Sequence, residues 1–116
     1  MNINSVTIEG FMSVERPNYS ETEKSVPVAE FFIEVIHRWT GKAGQVCEQS
    51  EFVLCHAIGR PVNSIKKYFR PGAEVVITGS LRTRVVPVAD RTIQELYVVV
   101  DSIGYLSPRS VFEGLS

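Results

Sequence analysis

The segment Gly59-Arg60-Pro61-Val62-Asn63-Ser64-Ile65-Lys66-Lys67-Tyr68-Phe69-Arg70-Pro71-Gly72 decides how the rest of the chain is read. Gly59-Arg60-Pro61 interrupts an extended apolar run. Val62, Ile65 and Phe69 then recur at three- and four-residue spacing, with Lys66 and Lys67 between them. That spacing predicts a short amphipathic helix of about two turns, with Pro61 suited to its start and Pro71-Gly72 ending it.

Everything around this helix reads as strand. Residues 46–58 carry two unlike rows: Val53, Cys55 and Ala57 are small and core-like, whereas Phe52, Leu54, His56 and Ile58 are larger and chemically mixed. Thr40-Gly41-Lys42-Ala43-Gly44 has hairpin-loop composition. Before it, residues 28–39 are dominated by β-branched and aromatic types, with Phe31, Ile33 and Val35 on one face. Arg16 to Pro27 is rich in Glu, Ser, Asn and Pro without periodicity and reads as a solvated loop or wide hairpin arm. Residues 3–14 alternate and then meet Gly10, which predicts a curved first strand. After the helix, residues 73–86 place Val75, Ile77 and Leu81 on one parity and Thr78, Ser80, Arg82 and Arg84 on the other. Pro87 to Arg91 reads as a loop, and Ile93 to Leu106 as a fifth strand centred on Val98-Val99-Val100. Three strands, a short helix and two strands are the order of an OB-fold, an all-β Greek-key barrel with its helix between the third and fourth strands. An SH3-like barrel or a small sandwich uses similar strands, but neither explains the helix position as well. The expected division is one domain over 1–106 and a short unpatterned tail over 107–116.

Composition agrees with a single compact domain: 116 residues, 44% of them apolar, can bury one modest core. Two cysteines make a disulfide scaffold unexpected and point to free thiols in a reducing, cytoplasmic setting. No basic-then-apolar leader opens the chain, and no run approaches the ~18 apolar residues of a membrane span. The net charge of −1 hides an asymmetry. Between residues 60 and 91 seven bases (Arg60, Lys66, Lys67, Arg70, Arg82, Arg84, Arg91) stand against Glu74 and Asp90, so a basic face on a neutral protein is expected.

Glu48-Gln49-Ser50-Glu51-Phe52, Gly59-Arg60, Tyr68-Phe69-Arg70-Pro71-Gly72 and Thr78-Gly79-Ser80-Leu81-Arg82-Thr83-Arg84 resemble, in that order, the central run of bacterial single-stranded DNA-binding proteins. The opening Asn4 to Gly10, the strand ending in Trp39 and the Val98-Val99-Val100-Asp101 stretch also fit, so the resemblance covers about residues 2–106. It implies stacking of bases on Trp39 and Phe52. It also implies phosphate pairing by Arg82 and Arg84, with Lys42 and Arg60 as further electrostatic candidates. The implied partners are single-stranded DNA, other copies of the chain in a homodimer or homotetramer, and replication or primosome proteins, in the bacterial cytoplasm or plastid stroma. Ile58, Val86 and Leu54 depart from the family pattern, where further aromatics and a base are common, and imply a weakened or displaced footprint. The chain ends Val111-Phe112-Glu113-Gly114-Leu115-Ser116 rather than in an acidic tip, which resembles the family's short members, such as primosomal replication protein N and small cyanobacterial and plastid forms.

Each of these residues also has a plainer reading. Uninterrupted alternation would bury Trp39 beside Val35, Arg82 and Arg84 would suit a solvated edge, and Lys66 and Lys67 would suit the wet face of the helix. His37, His56, Cys47 and Cys55 lack metal-site spacing, no catalytic motif is present, and no cofactor is expected. Binding without chemistry is the expectation, with a protein-interaction module on the same barrel as the alternative.

Overall fold

The computed structural model describes residues 3–106, and the expected tail, 107–116, lies outside them. The elements are β1 (Val6–Met12), β2 (Asn18–Glu21), β3 (Pro27–Thr40), β4 (Val46–Ile58), α1 (Arg60–Tyr68), β5 (Glu74–Val88) and β6 (Arg91–Tyr105). The sheet runs β1-β5-β6-β4-β3-β2, and an additional pairing joins β1 back to β3. Five strands therefore close into a barrel, with β2 attached outside the ring as an arm of β3. This is the OB-fold expected from the element order.

Closure depends on Gly10. β1 pairs with β5 through Phe11 and with β3 at Phe11 and Met12, so the strand must bend there. A Cβ on Gly10 would stand 2.5 Å from the Glu34 carbonyl oxygen and 2.6 Å from the Ile33 Cγ2. Only glycine lets the two backbones approach across this seam.

Inside lie Met12, Phe31, Ile33, Cys55, Ala57, Val75, Ile77, Val98 and Val100, and α1 closes one end by adding Val62 and Ile65. Gly59 positions the helix: its φ of 80° and ψ of −128° belong to a region that side chains disfavour. Its N–H donates to the Pro27 carbonyl (2.8 Å), and its own carbonyl accepts from the Val62 N–H at 3.0 Å. Burial pushes the Cys55 thiol up to about 12, which makes it a core residue rather than a nucleophile.

One sequence expectation is decided and another needs correction. Of the loop or hairpin arm expected over Arg16 to Pro27, Asn18–Glu21 is the arm: it pairs with Pro27–Glu30 in an exposed hairpin whose turn is held by Thr22 and Val26. The loop expected over 87–91 shrinks to the turn Ala89-Asp90, with Val88 opposite Arg91. Pro87 does not stop β5. Alternation along the ladder turns its missing N–H away from β6, toward the free side of a two-stranded arm.

Candidate nucleic-acid interface

The β3–β4 hairpin pairs continuously from Val28↔Ile58 to Thr40↔Val46, well past the barrel rim. Side chains directly opposite one another share a face. Trp39, opposite Cys47, therefore continues the row of Phe31, Ile33 and Val35, whereas Phe52, opposite Glu34, lies on the outer row. Alternation would have buried Trp39, but the barrel ends before it: Trp39 is 43% exposed and its ring stacks on His37, centroids 5.4 Å apart. Phe52 is 59% exposed. The structure thus leaves both expected aromatics at the surface yet turns them to opposite sides of one ribbon, so they do not form a single platform.

The outer row supplies Phe52 with a different companion. Phe32, opposite Leu54 and one diagonal step from Phe52, is 42% exposed. The same alternation that puts Phe31 in the core turns Phe32 outward, a signal present in the sequence. Phe32, Leu54, Glu30, Arg84 and Glu95 line a cavity of about 320 Å³ on this face.

Arg84 occupies the middle of that face. Its Nη1 donates to Glu30 at 2.7 Å, and its Nη2 lies 2.7 Å from Glu95. The guanidinium stands 5.2 Å from the Tyr97 ring centroid, and Tyr97 in turn meets the edge of His56. His56 Nδ1 is 3.1 Å from the same Glu30 oxygen, so with Glu30 ionised the Nδ1 nitrogen carries a proton and donates it to that oxygen. Burial alone would raise the Glu30 carboxyl, but the hydrogen bonds and charges of Arg84 and His56 outweigh it and hold Glu30 below the usual carboxylate range. The Glu30 and Glu95 hydrogen bonds raise Arg84 in turn. Arg84 is therefore a structural cross-link over β3, β5 and β6. A phosphate would have to share it with two carboxylates.

Arg82 is exposed on the same outer row, opposite Tyr97, and has no carboxylate partner among the described residues. Lys42 lies at the tip of the β3–β4 hairpin, three residues from Trp39, and Arg60 opens α1; both are exposed. The structure consequently sorts the six expected residues into an outer-face set (Phe52, Arg82, Arg84), a hairpin-tip set (Trp39, Lys42) and Arg60 apart. Among the described residues no three His, Cys, Asp or Glu side chains converge on a point that could hold a metal ion.

Known proteins resemble this chain along nearly its whole length. The model of the Single-strand binding protein family matches residues 3–106. The chain is 26% identical over 110 residues to the single-stranded DNA-binding protein of Staphylococcus epidermidis, covering 93% of this chain and 79% of that protein. Among solved structures, a Plasmodium falciparum single-stranded DNA-binding protein in complex with single-stranded DNA superposes with a TM-score of 0.80 at 21% identity, covering 91% of this chain and 96% of that one. A deletion mutant of the Thermus aquaticus protein gives 0.78 at 19% identity, over 93% of this chain and 52% of that one. The small single-stranded DNA-binding protein of Streptomyces coelicolor gives 0.72 at 17%, over 90% and 95%. At these identities the solved structures speak to the fold.

Proposed function

The chain belongs to the single-strand binding protein family, and we propose that it binds single-stranded DNA with little sequence preference, by base stacking and phosphate pairing. The observation that carries this is the surplus of aromatic surface: the core closes without Trp39, Phe52 or Phe32, and all three remain exposed. A ring face stacks on any base and contributes roughly 1–3 kcal/mol for each, so such rings supply affinity without sequence readout. In this reading Phe52 and Phe32 carry bases across the outer face, Trp39 takes a base at the hairpin tip with Lys42 beside it, and Arg82 neutralises phosphate. Arg84 keeps the face in shape and turns part of its charge outward. Arg60 gives a further contact near α1. The reading extends to a homo-oligomer, since one barrel presents few stacking groups, and to work in replication, recombination or repair in the bacterial cytoplasm or plastid stroma. It involves no chemistry on the strand.

One observation favours a second reading. Glu30, Glu34 and Glu95 interleave with the outer-face aromatics, a pattern that suits docking of another protein as an accessory subunit. A titration with oligo-dT at two salt concentrations separates the two, with emission from Trp39, the single tryptophan, as the readout. Salt-sensitive quenching is expected. Absence of any quench or shift at micromolar protein and low salt would overturn DNA binding in favour of the docking reading.

A further inference from the structure

On the outer face Arg84 is matched by Glu30 and Glu95; around α1 the cations have no such partners among the described residues. Residues 60–72 hold Arg60, Lys66, Lys67 and Arg70 and no acid. A cavity of about 370 Å³ between this helix and the segment leading into β2 is lined by Arg16, Tyr19, Lys66 and Phe69 among others, and by no carboxylate. Among the described residues none of Arg16, Lys66, Lys67 and Arg70 forms an ion pair.

These cations are also placed. Lys66 Nζ lies 5.2 Å from the Tyr19 ring centroid, and Lys67 Nζ lies 5.2 Å from that of Tyr68. Tyr68 packs on Tyr105 at 5.2 Å, and Tyr105 accepts a hydrogen bond from Ser64 of the same helix. Tyr19 and Tyr68 remain 41% and 48% exposed. Cation–π contacts at exposed sites are worth only ~0.5–1 kcal/mol, enough to bias each flexible ammonium toward its ring without neutralising it. Lys66 and the Tyr19 ring it approaches both line the cavity, so this lysine is held at its mouth rather than spread over a wet helix face.

Arg16 joins this surface to the other, because it lines the outer-face cavity as well. A chain crossing the outer face and passing residues 13–18 therefore meets Arg16, with Glu15 beside it, and beyond Arg16 a cavity without carboxylates that leads to α1.

We propose that the α1 surface, with Arg16, Lys66 and Lys67 at its centre, is a second phosphodiester contact that takes the continuation of a single strand leaving the outer face. The inference rests on the proposed DNA binding and adds a path to it. Short oligonucleotides that fill the outer face do not reach this surface, whereas longer ones do. Each phosphate neutralised on single-stranded nucleic acid adds ~0.7 to the log–log salt slope.

The test compares wild type with Lys66→Ala/Lys67→Ala, both exposed helix positions where alanine is well tolerated, using oligo-dT of about 8 and about 25 nucleotides, the first within and the second beyond the ~4–16 nucleotides that one OB-fold covers. On the longer oligonucleotide the slope should fall by about 1.4, so that the affinity lost between 50 and 200 mM salt shrinks by about sevenfold. The slope on the shorter one should not change. Lys66→Arg/Lys67→Arg should restore the wild-type slope, which a purely structural role for the lysines would not require. An unchanged slope on the longer oligonucleotide, with wild type still binding, overturns the α1 path and leaves the outer face intact. Failure of wild type to bind either length overturns both. Binding of a poly-glutamate peptide that is lost in the alanine variant, with the oligonucleotide slope unchanged, would assign the surface to an acidic protein instead and overturn the strand path.

Discussion

Phe52→Ala separates a stacking ring from a packing ring. Phe52 is 59% exposed, so about two-fifths of its surface is covered, by the outer row around Glu34 and Leu54. For a phenylalanine of roughly 200 Å² that is ~80 Å², and at ~25 cal/mol per Å² the folded state loses at most about 2 kcal/mol. The extended-chain reference makes this a ceiling. A fully buried phenylalanine would cost about 3–5 kcal/mol. The loss of a stacked base should weaken binding by about 1–3 kcal/mol, or roughly 5- to 150-fold. Urea unfolding gives the first quantity, and an oligo-dT titration at fixed salt gives the second. Because Trp39 lies on the opposite side of the ribbon, its quench at saturation should survive Phe52→Ala nearly unchanged. Phe32→Ala should behave similarly, and the double variant should lose less than the sum if both rings contact one base. Unfolding of Phe52→Ala with no separable change in affinity would make Phe52 a core residue. A folded variant with wild-type affinity would remove it from the DNA path.

Arg82→Ala should lower the salt slope by about 0.7 with an unchanged melting temperature. Arg84→Ala should lower the melting temperature as well, because Glu30 and Glu95 lose their shared partner. Glu30 is held below its ordinary value of 4.5 in the fold, so its contribution is present above that value and is lost as pH falls through the lower folded one. Glu30→Gln should therefore be less stable than wild type at pH 7, and the gap in denaturation midpoint should close in acid below pH 4.5; a gap independent of pH would refute the Glu30–Arg84 account. Gly10→Ala should disrupt the β1–β3 seam through its clash with the Glu34 carbonyl, whereas Gly59→Ala, with open space around it, should cost only the ~1–3 kcal/mol of a strained backbone. Light scattering at tens of micromolar should give at least a dimer mass, and a monomer would refute the homo-oligomer.

Local pattern was enough for the order of elements and for which way most side chains point. Val62, Ile65 and Phe69 repeat at helical spacing, Cys55 and Ala57 alternate with Leu54 and His56, and Gly10 stands at the bend; each signal lies within a few residues because periodicity is a property of backbone geometry. The resemblance carried by residues 48–84 added the family, which matches residues 3–106. Alternation also held for Phe52, whose outward direction follows from the small core row beside it.

Coverage, in contrast, is decided by whatever packs against a row, and that comes from elsewhere in the chain. Trp39 has a core parity but a surface position, because β3 and β4 outrun the barrel. Its placement opposite to Phe52 depends on a register set over thirteen paired positions. Arg84 meets Glu30 across 54 residues of sequence, and no local signal could reveal that this arginine is already paired while Arg82, two residues away, is free of carboxylates among the described residues. Lys66 reaches the ring of Tyr19 only because the helix plugs the barrel beside the β2 arm, which shows no alternation to tell it from a loop because all four of its residues are exposed. Direction is local and survives in the sequence; burial, pairing and charge balance are sums over distant neighbours, and only the closed barrel brings those neighbours together.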